Sequence, residues 1–132
     1  MLSKELKIDN WIYNKTTQRN VQVYPMMIHQ LAKLEKEKGG HNYIGIELSE
    51  EILLKCPKIE KSDDYGDQKY FNLIGTRYWF CLDHDDFSFG IYNKKDNQSD
   101  VTILQYWDLG INLHQMQNLI QDLTNEELIF NL

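Results

Sequence analysis

At 132 residues, with 42% hydrophobic and 12% aromatic side chains, the chain is too apolar to stay disordered and has the size of one domain, predicted to span residues 1–132. A formal net charge of −6 argues against the basic face needed for a generic grip on nucleic-acid phosphates, yet it suits a basic protein partner. Two cysteines, Cys56 and Cys81, without CxxC or Cys/His zinc spacing, read as buried thiols rather than a metal knuckle or a disulfide. The opening "MLSKELKIDNW" carries charges where a signal peptide has its apolar run. No window approaches the roughly 18 apolar residues of a membrane span, so a cytoplasmic protein off the membrane is expected.

In chain order, "KIDNWIYN" alternates weakly through Ile8, Trp11 and Tyr13 and predicts a short strand. Tyr24, Met27, Ile28, Leu31 and Leu34 then recur at helical spacing behind Pro25, with lysines toward the end and Gly39 and Gly40 as the stop. Tyr43 to Ile46 form an extended run. Ser49 follows as N-cap of a short helix, with Glu50 and Glu51 in its positive first turn, Ile52, Leu53 and Leu54 on its apolar side, and Pro57 ending it. "EKSDDYGDQ" reads as a polar loop.

From Lys69 to Trp107, "KYFNLI", "RYWFCL", "FSFGIYN" and "DVTILQYW" are strand-like with short connections, which predicts a four-stranded antiparallel meander. Tyr78, Phe80 and Leu82 share one face, and Arg77, Trp79 and Cys81 the other. Leu113, Met116, Leu119, Ile120 and Leu123 form the stripe of an amphipathic C-terminal helix, predicted to close over the greasier sheet face. Thr124 is then read as the cap of a last turn, "NEELIF". The expected class is α+β: an N-terminal strand and two helices, then the meander packed by a C-terminal helix.

Two blocks carry a resemblance. "IELSEEILLKC" and "LHQMQNLIQDLTNEEL" are similar to the "PLTEEWLLKFGF"-like and "VHQLQNLYFALTGEEL"-like blocks of a family of small uncharacterised proteins common in Bacteroidetes genomes and their phages. Leu48, Glu50, Glu51, Leu53, Leu54 and Lys55 match the first block; His114, Gln115, Gln117, Asn118, Leu119, Leu123, Thr124, Glu126, Glu127 and Leu128 match the second. "LKIDNWI" also resembles the family's "LRIGNWV". The chain departs from the pattern at Met116 for Leu, Asn125 for Gly and "CPKIE" for "FGFEK". The resemblance covers a minority of the chain and implies a phage or mobile-element setting, but no reaction.

His114, Gln115, Gln117 and Asn118 make the densest polar cluster on a helix. They line a ligand, with His114, Gln117 and Asn118 as its weak candidates, or they tie the helix to strand ends by hydrogen bonds, and the second reading is favoured. "LDHDDF" sets His84 among Asp83, Asp85 and Asp86, an oxygen-rich turn that suits a divalent ion but equally the conformational needs of a hairpin, so no metal is assigned. Cys81, inside an aromatic strand, lacks the accessible electropositive setting of a nucleophile, and no GxSxG, P-loop or HExxH motif occurs. No catalytic residue and no cofactor are expected.

Aromatic area exceeds what one sheet face needs against one helix: either Arg77, Trp79, Tyr70 and Tyr92, with Asp85 and Asp86, are exposed as partner-binding residues, or the aromatics pack against the N-terminal segment. Three functions follow: a small non-catalytic protein that binds a larger basic nucleic-acid-handling host complex, in its concrete form an inhibitor of a CRISPR effector or other defence complex; a sponge for a nucleotide-like signal; or a metal-dependent hydrolase built on His84. The first is preferred, and the chain is not expected to be an enzyme.

Overall fold

A computed structural model describes residues 1–83, 86–91, 101–106 and 111–132, and no helix of the described residues is long and apolar enough to cross a membrane. The fold is α+β, and it divides into two compact units. The first comprises residues 1–48 and 112–128, the second residues 49–111 and 129–132.

In the first unit, strands β1 (Trp11–Asn14), β2 (Arg19–Gln22) and β3 (Tyr43–Gly45) form an antiparallel sheet in the order β2-β1-β3. A 3-10 turn at Ser3–Glu5 precedes it. Helix α1 (Pro25–Lys38) begins on Pro25 and ends on Gly39, whose φ of 76° is the left-handed conformation that glycine adopts without strain. The periodic residues do what their spacing demands. Met27 and Leu31 of α1 cluster with Leu6, Ile12 and Val23, each buried side chain contributing about 1.5–3 kcal/mol of transfer free energy.

Helix α3 (Leu113–Thr124) belongs to this unit, not to the meander that the sequence reading placed beneath it. The Leu113 N–H donates to the Ile46 carbonyl at 2.8 Å, and Asn112 bridges to Glu47 just before the helix begins. Its buried stripe is also rotated from the expected one: Leu113, His114, Met116, Gln117 and Ile120 are buried, whereas Leu123 is 47% exposed. Two polar residues have joined the stripe. Past the helix, Asn125 adopts a left-handed φ of 59°, and no further helical turn forms over residues 125–132. Thr124 therefore caps no new helix; its hydroxyl donates to the Ile120 carbonyl at 2.6 Å and accepts from the Glu126 N–H.

The second unit is a five-stranded antiparallel meander of β4 (Ile59–Tyr65), β5 (Gln68–Leu73), β6 (Tyr78–Asp83), β7 (Asp86–Ile91) and β8 (Val101–Tyr106), each paired with the next in sequence. The polar segment read as a loop is thus a fifth strand, turned into β5 at Gly66, with a register shift between Lys61 and Asp64. Sequence alternation missed it because its apolar residues stand only at its two ends. Helix α2 (Glu50–Leu53) is capped by Ser49, whose hydroxyl accepts the Ile52 N–H at 3.2 Å. This helix lies on the sheet face that carries Phe71 and Phe80. There Glu50 accepts hydrogen bonds from Lys61 of β4 and from Lys69 of β5, the latter at 2.9 Å. Those lysines hold the Glu50 carboxyl below the usual carboxylate range, and the Glu50 carboxylate in turn pushes Lys61 up. Phe80 stacks on Phe87 and Phe89 at ring separations of 6.0 and 5.6 Å, and all three are buried.

Candidate functional site

The polar cluster of α3 is a set of ties within the first unit. Asn118 donates through Nδ2 to the Glu5 carbonyl at 2.8 Å and accepts through Oδ1 from Asn10 Nδ2 at 2.9 Å. Gln117 accepts the Trp11 N–H at 3.1 Å and donates to the Leu128 carbonyl at 3.2 Å. Gln115 accepts the Asn112 N–H at the head of the helix and donates to Glu5 Oε1 at 3.4 Å. Each amide thus satisfies a backbone group or side chain that would otherwise lose water on burial. Lys7 and Asp122 close the same seam from outside at 2.7 Å.

His114 differs from its neighbours. It is 0% exposed, both ring nitrogens are buried without a hydrogen-bond partner, and Nε2 stands 3.7 Å from Glu5 Oε1, too far for a hydrogen bond. Burial pushes its pKa down, and the Glu5 carboxylate offsets part of that. An unpaired buried N–H costs about 1–3 kcal/mol, so this is an expensive place for an imidazole. Glu5 itself is held below the usual carboxylate range chiefly by accepting the Leu2 N–H.

The aromatic candidates differ in exposure. Trp79 is only 6% exposed, covered where the sequence suggested an open face. Its ring lies 6.0 Å from Tyr70, which meets Tyr65 edge-on at 5.5 Å and 87°. By strand alternation and register, Tyr65, Tyr70 and Trp79 form one diagonal line across β4, β5 and β6. Tyr65, at the outer end, is 65% exposed; the sequence reading missed it by treating its strand as loop. Arg77 is exposed, in the turn just before β6 rather than within the strand. Asp86 opens β7 opposite Asp83 and is half-buried. Tyr92, Asp85 and His84 lie outside the described residues.

Burial pushes both thiols up, Cys81 keeping a partly offsetting hydrogen bond from Tyr70. Neither is a nucleophile in waiting. Among the described residues no group of three or more His, Cys, Asp or Glu side chains could hold a metal ion. A cleft of about 670 Å³ opens in the first unit between the β1–β2 turn (Asn14, Thr16, Thr17), the end of α1 (Lys38, Gly39) and the entry to β3 (His41, Tyr43). His114, Gln117 and Asn118 do not line it. Comparison of the chain with family models, with curated proteins and with solved structures returned no match.

Proposed function

We propose that this chain is a small non-catalytic interaction protein whose partner docks on the meander at Tyr65, with Tyr70 beneath it and Arg77 nearby in sequence to Trp79. One observation carries the reading: a tyrosine 65% exposed yet buttressed edge-on by a second ring, the rigid amphipathic anchor that dominates protein interfaces. Trp79 takes the part of a support rather than a contact. The net charge of −6 favours a basic partner, and the resemblance to the phage-associated family makes a nucleic-acid-handling defence complex, such as a CRISPR effector, the concrete target.

The test is capture from a Bacteroidetes lysate, with recombinant effector complexes as defined baits, using the wild type and the Tyr65→Ala, Arg77→Glu double variant. Both positions are exposed, so the variant should fold normally. A stoichiometric partner retained by the wild type and lost by the variant supports the reading. Equal retention removes this face from it.

A second reading is the sponge for a small signal. The polar cleft ringed by Thr16, Thr17, Lys38 and Tyr43 favours it, and equilibrium dialysis against a nucleotide panel, repeated with Lys38→Glu, decides it. The hydrolase reading rests on His84, which lies outside the described residues; mutation of His84 with an activity screen tests it directly.

A further inference from the structure

The N-terminal turn is gripped by two glutamates, and a buried histidine stands behind each. Glu35 accepts both the N–H and the hydroxyl of Ser3, and its Oε2 lies 3.5 Å from His41 Nε2, whose side chain is 3% exposed. Glu5 accepts the Leu2 N–H and faces the fully buried His114 at 3.7 Å. The Asn118 and Gln117 bonds to Glu5 and Trp11 complete the attachment of this segment to α3. Neither His114 nitrogen has a hydrogen-bond partner, although Asn and Gln side chains on the same helix are paired with care. An apolar ring would fill such a position without leaving an unpaired N–H.

We infer that His114 and Glu5 form an acid-sensitive latch, in which uptake of a proton by the buried imidazole loosens the segment Met1–Asn10 from α3. Glu5 and the Met1 amino group are the charges that act on the ring, the carboxylate favouring the proton and the amino group opposing it. Burial outweighs Glu5, so the folded state prefers neutral His114. The unfolded or detached histidine has a pKa near 6.5. Attachment is therefore complete above about pH 6.5 and weakens as the pH falls from there through the lower folded value. Each unit of difference between the two pKa values changes the open-to-closed ratio about tenfold. Loosening would expose the amides of Gln117 and Asn118 and free the first ten residues for a partner.

The test is amide exchange on the full chain at pH 7.5 and 5.5, corrected for intrinsic rates, read at Leu6, Asn10 and Trp11 with the α1 amide of Leu31 as internal reference. The latch predicts protection at the three sites falling by about tenfold in acid relative to Leu31, and no such fall in His114→Phe. Equal protection at both pH values, or the same loss in His114→Phe, overturns it. Because that variant could fail to fold, the imidazole of the wild type is also titrated by NMR: a His114 pKa below 6.5 is expected, and a value above 6.5 overturns the latch.

Discussion

Each unit is stabilised internally by its own means. In the meander every strand pairs with its sequence neighbour, and the buried face is a run of stacked phenylalanines and aliphatics, Phe71, Leu73, Phe80, Phe87 and Phe89. In the first unit the chain leaves after Leu48 and returns at Asn112, and the returning helix is fastened by Asn118, Gln117 and Gln115 as well as by Leu113, Met116 and Ile120. Apolar burial is non-directional, so the first arrangement tolerates imprecision; amide hydrogen bonds fix a register, so the second specifies where a distant segment must land. That contrast also explains why a polar-looking helix carries so little sign of a ligand.

The sharpest way to break the comparison is Phe80→Ala, which removes the centre of the aromatic stack and should cost about 3–5 kcal/mol in a denaturant titration. Asn118→Ala should cost less, about 1–3 kcal/mol, because it leaves the Glu5 carbonyl and the Asn10 amide unpaired rather than opening a large cavity. A loss from Asn118→Ala as large as that from Phe80→Ala would erase the difference between the two units. Ser49→Ala removes only the cap of a four-residue helix and should cost about 1 kcal/mol, visible as a small fall in Tm.

Protons probe both units, the second through Glu50 and the first through Glu5 and Glu35. Glu5 and Glu35 both have folded pKa values below the ordinary range, Glu5 chiefly through Leu2 and Glu35 chiefly through the Ser3 hydroxyl. Their stabilisation is therefore present above the unfolded value of about 4.3 and is lost as pH falls through the folded values, a second acid step below that of His114. Glu5→Gln and Glu35→Gln should each flatten that lower step in a pH series of melting curves, and an unchanged step in both variants contradicts the assignment.

What the sequence disclosed follows the same division. The helix at Pro25 was legible because proline, the 3.6-residue period and the glycine stop agree, and the Ser49 cap because its chemistry is local. The meander was legible for β5 to β8, where β-branched and aromatic residues are dense, but β4 was hidden because its middle, from Glu60 to Asp64, is a polar run in which Lys61 pairs with Glu50. The destination of α3 was not legible at all. Its stripe shows that it covers something, while only the partners of Asn118 and Gln117, more than 100 residues away, show what. Trp79 and Tyr65 were misjudged for a related reason: tryptophan's large area finds cover on the central strand β6, and the edge strand that carries the exposed Tyr65 was not foreseen.

The claim that most needs testing is that the polar cluster of α3 fastens the N-terminal segment instead of serving a ligand. Native-state amide exchange at neutral pH, comparing the wild type with Asn118→Ala, tests it directly. The fastening account predicts that Leu6, Asn10 and Trp11 lose protection together while Met27 and Leu31 in α1 keep theirs. Unchanged protection at Leu6, Asn10 and Trp11 would contradict it and return the cluster to candidacy as a binding site.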